Sequence, residues 1–565
     1  MALLRFILLA VPFLAWLGYR FIRKKRFEQY KNIPRLPPNL IWGHLKALNE
    51  FIQSEGLGKH TDYAFAAISR ALNRPSIFLL DMRPLFYPLL VIQSHTVAEQ
   101  IVKPSKEFKY SVLKSPTLRG LLPIIGPTSI ISAAGADWKH LRKRFNPGFA
   151  HAHLITLIPA IIGATRKFLG RLERHAKDGG EFGFDELCTA LTFDIIGAVV
   201  LDVDFKSQGA PENQHPVVRL YRQLTHAYDD NTPFPFLAWR KKRKQRKYGE
   251  AVDAAIKDVV AEKFEQTKTK FDEKRVLSGR SVLELSLQDV DVLTKDELQM
   301  AADQVKSFLF AGHDTTSILL QWAFYALSIH PRVRSTLCAE LDTVFGSSSS
   351  PDSVAEQLLQ RGEEALSQLS YTSAVIKEIL RLYPPAGSAR MAPKGSGYTI
   401  RMDNGENVCV DGFVLYVNHY IIQRDPAIYG DTADDFCPER WLGDTDTSME
   451  SEYGITETVS SEKKVDVAED GKEIPPSAWR PFERGPRNCI GQELANIEAR
   501  VILACVARRF EFTKVGAGEV VLGKDGQPQL DPKGRFVVRG EMYNKRQVTS
   551  KPFDGMMMKV KVVES

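Results

Sequence analysis

The run from Thr294 to Ile329 keeps a helical pattern of apolar residues with no proline inside it. Its opening "TKDE" sets Thr294 and Glu297 at capping-box spacing, and Pro331 lies just past its end, where a helix tends to stop. At 1.5 Å rise per residue this one helix would be about 50 Å long. A rod of that length crosses a whole domain, so the rest of the chain has to be built around it. Helical patterns also dominate from about Glu50 to Arg381. Strand-like runs are short: "SIFLLDM", "PLLVIQS", "YTIRM", "ENVCVDGFVLYV" and, at the end, "GMMMKVKVVES". The expectation is a mainly α fold with a small β domain, and no internal repeat is evident.

The N-terminus adds a second constraint. Residues Ala2 to Tyr19 are apolar except Arg5, and Arg20, Arg23, Lys24, Lys25 and Arg26 follow. An apolar stretch of this length can just span a bilayer, with Arg5 snorkelling at its end. The basic flank would stay cytosolic. A cleaved signal peptide is the competing reading, but it needs small residues at the cleavage site, and here the next residues are bulky and basic. We expect residues 1–22 to form a membrane anchor, 23–48 a basic, Pro-rich hinge, and 49–565 the catalytic body. The acidic, aromatic-poor stretch 443–476 reads as a surface insertion. The basic run from Trp239 to Gly249 reads as a solvated helix start or as a contact for anionic lipid headgroups.

Charge and motif content exclude several classes. A net charge of +7 on 565 residues suits a membrane surface or an acidic partner and gives no argument for nucleic acid. The six cysteines contain no C-x-x-C pair, so neither a zinc finger nor a disulfide framework is indicated. No Walker A loop or HExxH occurs, and "GSGYTI" has too few glycines for a dinucleotide fingerprint. His151 and His153 are two residues apart and do not share a helix face.

Cys489 stands in "PFERGPRNCIGQELA", a turn rich in Gly, Pro and Arg before a helix-like run. A buried inert thiol is the ordinary fate of such a residue. The surroundings favour another. A helix start offers unpaired N–H groups and a positive dipole end. Arg484 and Arg487 add positive charge, and together these features would stabilise a thiolate. Gly485 and Gly491 permit a sharp turn and close approach to something flat. A thiolate beside a planar partner suits haem iron.

"FERGPRNCIG" resembles the haem-binding signature of cytochrome P450 monooxygenases, Phe-x-x-Gly-x-Arg-x-Cys-x-Gly, through Phe482, Gly485, Arg487, Cys489 and Gly491. Three further motifs follow the family's order. "KEILRLYPP" is similar to its Glu-x-x-Arg helix, with Glu378 and Arg381, which "FCPERW" would complete through Arg440 as a structural triad. "AGHDTTS", midway along the long helix, is similar to the family's acid–alcohol motif, with Ala311, Gly312, Asp314, Thr315 and Thr316. By itself it reads as a local kink, since Gly and hydroxyl residues are poor helix formers. "DWKHLRKRF" supplies Trp138 and Arg142, and read alone it is an amphipathic helix with a buried Trp.

The resemblance implies the cytochrome P450 haem-thiolate fold, with Cys489 as axial ligand of haem b, iron protoporphyrin IX. It implies that Trp138, Arg142 and Arg487 hold the propionates, with Arg390 as a further candidate. Thr315 would hydrogen-bond the bound dioxygen, and Asp314 would feed protons inward. Phe308, Ala311, Gly312 and Ala386 would line the substrate pocket. The implied reaction inserts one atom of O2 into an apolar small molecule, in a step of secondary-metabolite biosynthesis. Electrons would come from NADPH through NADPH-cytochrome P450 reductase, docking on Lys139, Lys143 and Arg144. The implied setting is the endoplasmic reticulum membrane, with the catalytic domain cytosolic and no obligate oligomer or nucleic-acid partner. A haem-thiolate isomerase or dehydratase, which needs no reductase, is the alternative. Such relatives often lose the acid–alcohol pair that Asp314 and Thr315 retain here.

Overall fold

The structure is a computed structural model that describes residues 2–229, 238–269, 279–347, 350–442, 473–545 and 547–563, with backbone only for 2–9, 229, 238 and 269. Most of the expected insertion at 443–476 lies outside the described residues. The chain divides into two compact units, one comprising 1–117, 387–423 and 477–488, the other 118–386, 424–476 and 489–565.

The first unit begins with helix α1 (Ala2–Arg23) and is built on a four-stranded sheet. Its strands are β1 (Ile77–Leu80), β2 (Leu89–Ile92), β3 (Ser388–Met391) and β4 (Val414–Val417), in the order β1-β2-β4-β3. β1 and β2 are antiparallel, in register Ile77 with Ile92, whereas β2 and β4 run parallel, Leu89 opposite Val414. Both β1 and β2 are buried at every position. Continuous apolar runs of this kind are what a strand covered on both faces requires. One face packs Ile77, Leu79, Leu90 and Ile92 against Ile101, and the other packs Phe78, Leu80 and Val91 against Phe65 and Ile68. The strand-like runs of the sequence all become strands. Strand β3 carries no such local signal, because "SARM" places a buried Arg390 where an apolar residue is expected.

The second unit is helical. Its elements include α2 (Gly135–Phe145), α3 (Phe184–Leu201), α4 (Pro216–Asp229), α5 (Ala238–Thr269), α6 (Lys295–Ile329), α7 (Ser370–Leu382) and α8 (Gln492–Val506). Strands β5 (Phe510–Lys514) and β6 (Met557–Val562) pair antiparallel beside them. The long helix α6 packs along α3, with α7, α8 and β5 also against it. Gly312 permits a close approach, since a Cβ there would lie 2.7 Å from Ile196 of α3. The cap is half of the expected box. Thr294 accepts from the Glu297 N–H at 3.2 Å, but the Glu297 carboxylate is drawn to Arg144 at 3.0 Å instead of turning back. The basic run 239–249 forms the mostly exposed first turns of α5, in keeping with a solvated helix start.

A buried ionic triad ties α7 to the 432–441 segment. The Arg381 guanidinium donates to both Glu378 oxygens (2.8 and 2.7 Å), and Arg440 Nε donates to Oε1 at 3.1 Å. The Trp441 indole N–H (2.8 Å) and the Cys437 N–H (3.0 Å) complete the carboxylate's partners. Arg381 donates onward to the carbonyls of Ala433 and Asp435. Burial alone would raise the Glu378 pKa, but Arg381 and then Arg440 outweigh it and hold it below the ordinary 4.5. A carboxyl whose folded pKa is depressed stabilises the fold above its unfolded pKa, and that contribution fades as pH falls through the folded value. Glu378→Ala leaves two buried guanidinium groups uncompensated and should cost about 3–5 kcal/mol. Urea midpoints at neutral pH should drop accordingly, and the gap to wild type should narrow below pH 4.5.

Candidate haem-thiolate site

Of the cysteine signature, residues 482–488 belong to the first unit, and Cys489 opens the last part of the second. Within the first unit the loop is held by charge. Arg480, fully buried, donates to Glu483 at 2.6 Å and to Glu99 at 2.7 Å. Burial pushes the Glu483 carboxyl up, but Arg480 outweighs it and holds the group well below the usual range. Arg484, expected to add positive charge beside the cysteine, pairs with Glu99 at 3.0 Å, a carboxylate it shares with Arg480 and Lys103. Gly485 has φ +74°, and a Cβ there would lie 2.4 Å from the Val102 carbonyl oxygen. Only glycine fits that turn. Phe482 packs on Trp479, with ring centroids 5.9 Å apart. Arg487 is half-buried.

Arg390 on β3 is wholly buried. Its Nη1 donates to Ser111 Oγ (3.0 Å) and to the Val112 carbonyl (3.2 Å), while Nε and Nη2 have no hydrogen-bond partner among the described residues. A buried cation with two unused donors is costly unless an anion completes it. A planar guanidinium is suited to bidentate carboxylate binding. Arg390, given a minor place in the sequence reading, thus has the most direct structural case for holding a carboxylate.

In the second unit Cys489 is exposed and lies three residues before α8, whose N-cap is Gly491. Trp138 is buried on α2, and Arg142 is half-buried one turn on. On α6, Thr315 is half-buried and its hydroxyl donates to the Ala311 carbonyl at 2.7 Å. Asp314 is buried and accepts from Lys551 Nζ at 3.0 Å and from the Thr549 hydroxyl. Burial would push its carboxyl up, but the Lys551 ammonium outweighs this and holds it below the ordinary aspartate value. Ala311 and Gly312 are half-buried and Ala386 is exposed. Phe308, expected in the substrate pocket, is 5% exposed and packs edge-on against Phe145 (5.3 Å) and Phe149 (5.0 Å). That placement makes it part of the packing of α6 on α2. Arg144 is likewise withdrawn from the expected docking patch by its pair with Glu297, while Lys139 and Lys143 remain exposed.

Comparison with known proteins fits this arrangement. The family model for Cytochrome P450 matches residues 64–528. Cytochrome P450 monooxygenase acrF of Aspergillus aculeatus is 33% identical over 467 residues, covering 80% of this chain and 87% of that protein. Cytochrome P450 monooxygenase polC of Polytolypa hystricis is 29% identical over 507 residues, 86% and 82% of the two chains. The crystal structure of a cytochrome P450DA mutant heme domain shares the fold, with TM-score 0.67 and 19% identity over 94% of this chain and 98% of that one. The protein is therefore a haem-dependent monooxygenase by class, and the chain belongs to the cytochrome P450 family. Membership implies haem, dioxygen and electrons from a redox partner. The residues present fit haem: a cysteine ahead of a helix start, a glycine turn that admits no side chain, and a buried arginine with donors to spare.

Sequence reasoning missed Lys551, Thr549 and Glu498. Glu498, on α8, is 2% exposed, and burial pushes its carboxyl up to about 8 against a weaker opposing bond from Thr316. Its folded pKa lies above its unfolded value, so it must keep a proton that the unfolded chain releases. Stability therefore falls as pH climbs from 4.5 toward 8. Glu498→Gln removes that penalty. It should raise the urea midpoint at pH 8 by an equivalent on the order of 1–3 kcal/mol, with little change near pH 4.5.

Proposed function

We propose that the chain is a membrane-associated monooxygenase that inserts one atom of O2 into an apolar substrate with electrons from NADPH. The observation that carries this reading is the joint presence of Cys489 ahead of α8 and the Asp314–Thr315 pair on α6. Cys489 would hold haem b through its thiolate. Arg390, with Trp138, Arg142 and Arg487, would hold the propionates. Thiolate-ligated haem supplies oxygen activation, the thiolate favouring O–O cleavage. The chain's own residues then have three tasks. Gly485 and the Arg480–Glu483 pair hold the loop before the cysteine in one conformation. The Thr315 hydroxyl, which donates to the Ala311 carbonyl, would exchange that bond for one to the reacting oxygen. Asp314 would pass protons toward Thr315, supplying those needed to release the second oxygen atom as water.

Electrons would come from NADPH-cytochrome P450 reductase, with exposed Lys139 and Lys143 offering charge for an acidic partner. Membrane association would rest on α1 and the basic residues behind it. Among the described residues no helix is long and apolar enough to cross a membrane, and the side chains of residues 2–9 lie outside that set. Exposed Val11, Phe13, Leu14 and Trp16 on α1, with Arg20 and Arg23 following, support an anchor there. The endoplasmic reticulum is the setting this fits, and a role in secondary-metabolite biosynthesis is in line with the fungal relatives.

Purified protein with reductase should oxidise NADPH and consume O2 only when both are supplied. Thr315→Ala should keep NADPH oxidation but divert it to hydrogen peroxide, with product yield falling on the order of tenfold or more. Conversion of substrate without NADPH would instead support the isomerase or dehydratase alternative.

A further inference from the structure

Asp314 is reached from a cavity of about 430 Å³ in the second unit. Exposed Glu186, Arg222 and His226 stand among its walls, and buried Asp314, His313 and Tyr221 lie at its inner end. Its volume has room for roughly a dozen waters. The Tyr221 hydroxyl is buried and has no hydrogen-bond partner among the described residues, so the inner end offers water an unused polar group.

The carboxylate at that inner end is clamped by one segment of the chain. Lys551 Nζ lies 3.0 Å from Asp314 Oδ1, and the Thr549 hydroxyl donates to Oδ2. Lys551 also reaches Asp185 of α3 at 3.4 Å. Asp185 in turn accepts from the Gln321 amide of α6 at 2.8 Å and from the Thr189 hydroxyl at 3.3 Å. The charged and titratable groups facing Asp314 are therefore His313 on its own helix, Asp185 on α3, Tyr221 on α4, and Lys551 from the C-terminal segment. The His313 Nδ1 is bonded to the Leu309 carbonyl, and burial lowers its pKa, leaving Lys551 as the cation that matters. Successive helix residues point about 100° apart. Thr315 is not among the cavity-lining residues and its hydroxyl is turned to Ala311.

We infer that Lys551 is a positioning residue for proton delivery, holding Asp314 as a carboxylate at the inner end of this cavity so that the protons used in the reaction enter from cavity water. This rests on the role proposed above for Asp314. Each proton that Asp314 passes on is first taken up by its carboxylate from cavity water, which draws it from bulk solvent, while Lys551 stays protonated. Without that cation, only the Thr549 hydroxyl and His313 are left to oppose burial, and Asp314 should hold its proton at neutral pH. It is then a loaded acid and no longer a relay.

Infrared spectra of wild type, Lys551→Met and the double variant Lys551→Met/Asp314→Asn test this in the resting protein. At neutral pH the single variant should show a protonated-carboxyl band that is absent from wild type and lost again in the double variant. Lys551→Arg, which keeps the charge, should resemble wild type. If Lys551→Met folds poorly by circular dichroism, Lys551→Gln carries the same expectation. In reductase-driven NADPH oxidation the neutral variants should release about twofold or more hydrogen peroxide per NADPH, with a new pH inflection in the neutral range. A structural role alone would lower stability without creating that inflection. No new band in a folded neutral variant, or a wild-type pH profile and peroxide yield, would overturn the proposal. The infrared comparison needs no turnover, so its failure is distinct from failure of the monooxygenase reading.

Discussion

A long helix buried along its length must find a partner for every polar group it carries, and α6 carries many. Asp303 accepts from the Thr128 amide and hydroxyl, and Lys306 sits between Asp303 (3.2 Å) and Asp253 (2.7 Å). Gln304 bonds the backbone of Thr128 and Ile130, and Ser307 donates to the Ile125 carbonyl. Thr192 of α3 donates to the His313 carbonyl at 2.6 Å. An unpaired polar group at any of these depths would cost about 1–3 kcal/mol, so the surrounding segments are held in place by what α6 demands. The same rule explains Asp314: a carboxylate this deep has to be matched, and the match comes from Thr549 and Lys551.

That arrangement joins stability to chemistry. Where the other polar groups of α6 face fixed partners, Asp314 faces a lysine and a cavity with exposed groups in its walls. The triad around Glu378 is the contrasting case. Its carboxylate is surrounded by Arg381, Arg440, Trp441 and a backbone N–H, and its work is to hold α7 and the 432–441 segment in register. Two buried carboxylates with depressed pKa thus differ in what they face: Glu378 is enclosed by fixed donors, and Asp314 borders a cavity.

The elements legible in the sequence were those with local signals. The start of α6 at Lys295 follows from its cap, and β1, β2 and β6 follow from continuous or alternating apolar runs. The Glu378–Arg381 pair was readable because helix spacing puts i and i+3 on one face. Residues whose role comes from distant partners were not readable. Thr549 lies 235 residues from Asp314, and nothing in its neighbourhood marks it. Arg484 was read as charge beside the cysteine and Arg144 as part of a docking patch, and their pairs with Glu99 and Glu297, far away in sequence, were not readable. Arg390 sat in a stretch too polar to read as a strand, yet its burial is what gives it a case as a ligand for a carboxylate. Spacing reveals neighbours on one element, whereas tertiary charge pairing leaves no local pattern.

The central claim is that Cys489 ligates haem iron as a thiolate. The most direct measurement is the carbon monoxide difference spectrum of dithionite-reduced protein, taken beside Cys489→Ser. The account predicts a Soret band at the family's namesake wavelength in wild type and its loss in the variant. Folded, haem-loaded wild type without that band, or a variant that keeps it, would contradict the assignment.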